Sequence, residues 1–126
     1  MKGTQILQLA GISGALAVGI GAFGAHSLEE LLIQTNRLET FHTAVHYHFY
    51  HTLALLGIGI LGTLKPEWKG LGFSAWCMTL GILIFSGSLY ILCFTGLTWL
   101  GGITPLGGLA FILGWMNIFY SNYKNR

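Results

Sequence analysis

Charge is scarce in this sequence. Of its 126 residues only 8% are Asp, Glu, Lys or Arg, whereas 53% are hydrophobic. Soluble domains usually carry about 25% charged residues, and a chain this short has too large a surface to hide so much apolar side chain in one small core. The scarcity therefore excludes an ordinary soluble domain and favours a lipid environment. The scattered net charge of +2 also argues against a nucleic-acid partner.

Cysteine and catalytic acids are scarce too. Cys77 and Cys93 lie in one apolar stretch, so on one helix they are separated by about 24 Å, whereas a disulfide needs Cα atoms within roughly 7 Å. We interpret both as small buried hydrophobic residues. The sequence has no nucleotide motif, no serine–histidine–acid set and no carboxylate inside an apolar stretch. An enzyme is therefore the less favoured interpretation, and no catalytic residue is assigned.

Long uncharged stretches take the place of these missing features. A membrane-spanning helix needs about 20 mostly apolar residues, and the charged residues divide the chain into stretches of one or two such lengths. Thr95-Gly96 and Gly101-Gly102 mark a turn inside the longest stretch. We predict an all-α membrane protein, a four-helix transmembrane bundle forming a single domain over 1–126, with spans of about 6–25, 41–63, 71–93 and 105–122.

Cap signals refine the ends of these helices. Ser27 followed three residues later by Glu30 is typical of a capping box, and leucines at helical spacing follow it. We predict a short helix in the membrane interface between spans 1 and 2, with a partner-docking helix as the alternative. Thr104 before Pro105 predicts the N-cap of the fourth span.

Basic residues predict the orientation. With four spans, Lys2, Lys65, Lys69, Lys124 and Arg126 share one side, and Arg37 alone lies on the other. Because Lys and Arg concentrate in cytoplasmic loops, both termini are predicted to be cytoplasmic.

Small residues predict the packing faces, because membrane helices associate through close backbone approach. Two stripes of small residues recur at helical spacing, one in span 1 next to His26 and one in span 4. The predicted packing residues are Gly11, Ala15, Ala22, Gly107, Ala110 and Gly114.

Span 2 carries four histidines. His51 shares the predicted bundle-facing side with Ala44 and Tyr47, close to the bilayer midplane, where an ionisable residue is by default a functional hypothesis. His42 and His46 lie on the predicted lipid-facing side with the i, i+4 spacing of weak metal-ligand candidates. The role of His48 is left open.

Several motifs resemble those of one family. Residues 21–26 (GAFGAH), Tyr47 with His51, and 85–90 (FSGSLY) occur in order, followed by 103–108 (ITPLGG) and 114–115 (GW). In this order they resemble a family of small bacterial membrane proteins of unknown function, which includes the YgdD- and YwdK-like proteins and is related to eukaryotic transmembrane protein 256. The resemblance implies four spans and a bacterial inner-membrane location, and it implies no activity, substrate or cofactor.

The predicted topology brings these motifs to one half of the membrane. We therefore predict a polar cluster in the outer half of the bundle, formed by His26, Tyr47, His51, Ser86, Ser88, Tyr90 and Thr104. A structure that places His26, His51 and Ser88 in separate regions would contradict this prediction.

Three functions are compatible with these patterns. The favoured one is a non-catalytic bundle that binds membrane lipids, forms a homo-oligomer or joins a larger membrane complex. A haem or metal protein is the second, with either His42 and His46 or His26 and His51 as ligands. A small oligomeric transporter or channel is the third, because the helix that opens at Thr104 could receive an anion. The sequence does not identify a cofactor.

Overall fold

The computed structural model describes residues 1–125, and every regular element in that part of the chain is helical. A short 3-10 turn at Thr98–Gly102 precedes the last helix. The main helices are α1 (Gly3–His26), α2 (Glu29–Gln34), α3 (Leu38–Leu64), α4 (Leu71–Thr95) and α5 (Thr104–Lys124).

Three helical segments are long and apolar enough to cross a membrane. They are α1, α4 and the segment Thr98–Lys124, which contains α5. The all-helical class and the apolar spanning helices are therefore shown. Helix α3 has 27 residues, but its four histidines reduce its mean hydropathy. A four-span count remains a prediction.

The observed helix ends correct two predicted caps. Ser27 follows the end of α1, where its backbone N–H bonds to Phe23 O, and no side chain caps α2. The chain continues from one helix almost directly into the next, so Ser27 is the C-cap of α1 rather than the N-cap of α2. Thr104 is the first residue of α5 instead of its N-cap. Arg126, used for the predicted orientation, lies outside the described residues.

Neighbouring helices run antiparallel. Gly3 packs against Gly62 and Thr63, while Gly24 packs against the ring of Phe41, so α1 and α3 are antiparallel. Asn117 donates a hydrogen bond to Gly70 O, which places the start of α4 beside the end of α5. The N-terminus, the α3–α4 loop and the end of α5 therefore gather at one end of the bundle, and α2 lies at the other.

Charged residues are concentrated at the two ends of the bundle. Lys2, Lys65, Lys69 and Lys124 lie in the end that holds the N-terminus. The opposite end contains Arg37 and the carboxylates Glu29, Glu30 and Glu39. No formally charged side chain occurs along the helices between these ends within the part of the chain that the structure describes.

Glycines allow close contact in α4 and α5. A methyl group on Gly81 would collide with the Phe111 ring and one on Gly107 with the backbone of Phe85, whereas one on Gly114 would press tightly against Met78 and Cys77. Ala110 is partly buried. The contacts at Gly107 and Gly114 lie on the stripe predicted for span 4.

The small-residue stripe predicted for α1 is on the wrong side of the helix. Gly11, Ala15, Ala22 and His26 are all exposed. The buried residues of α1 include Ala10, Ser13, Ala17 and Gly24. Small residues occur on every side of this helix, so their spacing does not identify the packing face.

A π-helical turn at Ile82–Ser86 interrupts α4. A turn of this kind holds more residues than an α-helical turn and frequently occurs at functional sites. Here it brings Ser86 against α3, where its hydroxyl donates to Ala44 O at 2.8 Å. Ser86 has no measurable exposure, so this bond fixes α4 to α3 inside the bundle.

Candidate functional site

Helix α3 contains two buried histidines and two exposed ones. His48 is 4% exposed and His51 is 7% exposed, whereas His42 and His46 are exposed. Because His48 and His51 are three residues apart, they lie on adjoining faces of the same helical turn. The two buried rings consequently meet different neighbours.

His48 is fully hydrogen-bonded to neighbouring helices. Its Nε2 lies 3.2 Å from the Ser13 hydroxyl of α1, and its Nδ1 lies 3.1 Å from the Tyr90 hydroxyl of α4. The Ser13 hydroxyl also bonds to Thr52 Oγ1 at 2.6 Å. We call these four side chains the His48 network. It connects three helices and uses both ring nitrogens.

Beside this network lies an apolar groove of about 250 Å³. Aliphatic side chains of α1 and α4 form most of its walls, including Leu9, Ile12, Ile82 and Leu83. His48, Ser13 and Tyr90 lie at its edge, but their polar atoms are occupied by one another. This groove offers hydrocarbon surface and no free hydrogen-bonding group from the network.

His51 is held differently. Its Nδ1 lies 2.7 Å from the backbone carbonyl oxygen of Tyr47. Its ring stacks flat on Phe111 of α5, with centroids 3.4 Å apart and planes at 11°. The Tyr47 ring also stacks near His51, with ring centroids 5.8 Å apart. One ring nitrogen and the ring plane are therefore fixed.

The other ring nitrogen of His51 is free. In residues 1–125 no hydrogen bond involves its Nε2, and no fully buried side-chain nitrogen or oxygen lacks a partner. Nε2 must therefore reach open space. A carbonyl oxygen can only accept, so Nδ1 carries the proton, and in the neutral ring Nε2 presents its lone pair.

His51 lines a second groove, of about 520 Å³, between α3 and α5. We call it the aromatic groove, because four aromatic side chains line it together with the imidazole ring of His51. It is lined by Tyr47, His51, Phe85, Pro105, Gly108, Leu109, Phe111, Ile112 and Trp115.

The π-helical turn supplies one wall of the aromatic groove. Phe85 lies within the turn and stacks on Tyr47, with centroids 4.3 Å apart and planes at 20°. Gly107 leaves room for Phe85 because it has no side chain. Phe111 fits against Gly81 in the same way. Two glycines thus position the aromatic walls.

The structure does not bring the seven predicted residues into one cluster. Tyr47 and His51 form the aromatic groove, whereas Ser88 bonds to Thr104 at 2.7 Å. Ser86 bonds to the backbone of α3, and Tyr90 belongs to the His48 network. These side chains therefore make separate contacts rather than one cluster, because the helices turn them towards different neighbours.

His26 lies furthest from the others. It is exposed at the end of α1, and Gly24 just before it packs on Phe41. Phe41 precedes His51 by ten residues on α3, a distance of about 15 Å along the helix. His26 and His51 are thus not arranged as a pair of axial haem ligands.

His42 and His46 lie side by side on the exposed face of α3, with ring centroids 6.2 Å apart. Within the described residues no group of three or more His, Cys, Asp or Glu side chains is placed to hold a metal ion. The pair alone supplies two of the three or four protein ligands that zinc sites use.

Sequence reasoning missed the His48 network. His48 has no motif around it, and Ser13 lies in a glycine-rich helix. The available signal was that Ser13 is the only hydroxyl between Thr4 and Ser27. A lone hydroxyl deep in a membrane helix requires a partner, and His48 and Thr52 provide it.

The fold and the site define a small, all-helical membrane protein with a buried histidine that lines a groove between two helices. The model for the family "Protein of unknown function (DUF423)" matches residues 20–108, and the chain belongs to this family.

Relatives match over almost the whole chain. The UPF0382 membrane protein YwdK of Bacillus subtilis is 46% identical over 119 residues, which cover 92% of this chain and 94% of the relative. The UPF0382 membrane protein of Haemophilus influenzae is 36% identical, covering 97% of this chain and 96% of the relative. No solved structure matches.

Proposed function

We propose that this chain is a four-span protein of the bacterial plasma membrane that binds a membrane-dissolved molecule in the aromatic groove without transforming it. The concentration of lysines at the end holding the N-terminus supports cytoplasmic termini. The length of α3, about 40 Å, is sufficient for a fourth span.

One observation carries the proposal. A 93% buried histidine keeps a lone pair without a protein partner and borders a groove of about 520 Å³. Ligand sites are typically apolar and aromatic cavities of about 300–1,000 Å³ with few polar groups. An imidazole nitrogen that faces membrane hydrocarbon has no water to bond to, so a ligand that donates a hydrogen bond to Nε2 gains free energy that the empty groove lacks.

The groove supports binding better than catalysis. Acid–base catalysis requires a group within hydrogen-bond reach of the reacting atoms, and His51 is the one histidine among the lining residues, which include no carboxylate or cysteine. Its Nδ1 proton is occupied by Tyr47 O. A single fixed acceptor is sufficient to orient a ligand.

Native mass spectrometry of the full-length protein, extracted gently from its own membrane, tests this proposal. The test variant is Gly108→Phe, because Gly108 lines the groove and a Cβ added there would lie 3.8 Å from ring atoms of Phe85, an ordinary contact. The matched control is Gly11→Phe, on an exposed position with nothing within 4 Å.

We expect a co-purifying small molecule on the wild type and on Gly11→Phe, and its loss from Gly108→Phe. Both variants must retain the thermal transition of the wild type. A molecule kept by a folded Gly108→Phe, or a wild type that carries none, would contradict the proposal.

A further inference from the structure

We infer that the ligand of the aromatic groove is a neutral phenol with a hydrocarbon tail, whose hydroxyl donates to His51 Nε2. This inference rests on the proposed binding function and adds the chemical class of the ligand. Three features of the groove lead to it: the direction of the available hydrogen bond, the depth of His51 in the bundle, and the nature of the walls.

The direction of the hydrogen bond follows from the tautomer. The Tyr47 carbonyl holds the proton on Nδ1 at 2.7 Å, so Nε2 of the neutral ring can only accept. Stacking on Phe111 at 3.4 Å prevents the ring from turning to exchange its nitrogens. The ligand must therefore present a donor, which an ether, ester or ketone does not have.

The depth limits the polarity of the ligand. His51 is the central residue of α3, which runs from Leu38 to Leu64, so each helix end is about 20 Å away. If α3 spans the membrane, Nε2 lies at the midplane. A charged or many-hydroxyl headgroup is strongly disfavoured there, whereas one hydroxyl with one acceptor is satisfied.

The walls favour an aromatic ring beside that hydroxyl. Tyr47 and Phe85 stack as a pair on one side, and Trp115 lies 6.3 Å from His51 at 63°. Aromatic pairs are stabilised beyond the burial of their area. The lining runs along α5 from Pro105 to Trp115, about 15 Å, which leaves length for a hydrocarbon tail.

Two photoreactive probes test the inference on the full-length protein in lipid nanodiscs. One is a 4-alkylphenol with a diazirine in its alkyl chain, and the other is its methyl ether, which differs only by lacking the donor. Labelling is measured by intact mass and mapped to peptides. The variants are His51→Phe, which keeps a flat ring and loses the acceptor, and His42→Phe, the matched change at an exposed histidine of the same helix.

We expect the phenol to label α3 and α5 in the wild type and in His42→Phe about two- to tenfold more than the ether, the ratio that one net hydrogen bond supplies. In His51→Phe the two yields should become equal. Equal labelling of these helices in the wild type would overturn the phenol assignment while leaving the groove as a binding site. Labelling of neither helix by either probe would contradict the binding function itself.

A second measurement does not depend on the folding of a variant. In wild-type protein labelled with ¹⁵N-histidine, the phenol should shift the Nε2 resonance of His51, and the ether should not. An unchanged Nε2 resonance with saturating phenol would overturn the inference.

Discussion

His48 and His51 occupy the same turn of α3, are buried to nearly the same degree, and differ in how many ring nitrogens they use. Both nitrogens of His48 bond to other helices, whereas only Nδ1 of His51 has a partner, on its own helix. Burial alone does not distinguish a structural histidine from a site histidine. The number of hydrogen-bonded ring nitrogens does differ, and it supports a structural role for His48 and the ligand-binding role that we propose for His51.

Gly81→Ala should have the largest effect on the surroundings of His51. The new methyl group would collide with the Phe111 ring, on which His51 rests. Overpacking of this kind typically destabilises by about 1–3 kcal/mol, and we expect the upper end because His51 stacks on the ring that would have to move. Gly87→Ala, whose nearest new contact is 3.9 Å away, is the matched control. Unfolding of purified protein in SDS titrations measures both, and equal stability of the two variants would contradict the close packing.

The two histidines can be compared directly through His48→Phe and His51→Phe. His48→Phe removes two interhelical hydrogen bonds, each worth about 0.6 to 1.7 kcal/mol in a membrane, so we expect a loss of about 2 kcal/mol. His51→Phe removes one bond to a carbonyl that already serves the α-helix, and should cost about 0.5 kcal/mol or less. The same SDS titration measures the difference. A larger loss for His51→Phe would reverse the assignment of roles.

Ser13→Ala sharpens the account of the His48 network. It leaves His48 Nε2 and Thr52 Oγ1 without their shared partner, and we expect a loss of about 1 kcal/mol. Ser27→Ala is the control, because Ser27 is exposed and lies outside the bundle core. A thermal transition that shifts equally in both variants would show that the network adds nothing to stability.

The smallest expected change in stability is the difference between Tyr90→Phe and Tyr47→Phe. The Tyr90 hydroxyl bonds to His48 at 3.1 Å, so Tyr90→Phe should cost about 0.6 kcal/mol. Tyr47 is 39% exposed, and Tyr47→Phe keeps its ring against Phe85, so its stability should match that of the wild type. Replicate SDS titrations of the pair measure this difference, and a larger loss for Tyr47→Phe would contradict it.

Much of the fold was predictable because charge marks the ends of the helices. The uncharged stretches located α1, α3, α4 and α5 to within a few residues, and Gly96 ends α4 with a φ of 72°, as the predicted turn requires. The side of each helix that faces the interior was not predictable, because apolar and small residues occur on every side of α1 and α4. The structure therefore exposes Ala15 and Ala22, which the sequence analysis had assigned to the interior.

The site was predictable only in part. The central position of His51 in its helix and its spacing from Tyr47 could be read from the sequence, and the structure places both residues in one groove. The free lone pair depends on the position of the Phe111 ring and on a backbone carbonyl, and no residue pattern encodes either. The π-helical turn that positions Phe85 contains no proline, and the glycines on either side of it, Gly81 and Gly87, are two among the 19 in the chain.

That turn divides α4 into two halves whose side chains are rotated relative to each other about the helix axis. A single additional residue rotates everything beyond it by about 100°. Ser74, before the turn, meets Asn117 of α5, while Tyr90, beyond it, meets His48 of α3. The loss of one residue between Ile82 and Ser86 would rotate only the half beyond the turn, so Tyr90 would turn away from His48 while Ser74 kept its contact with Asn117. When related chains are aligned, the two halves of this helix are therefore best treated as separate blocks with a permitted gap between them.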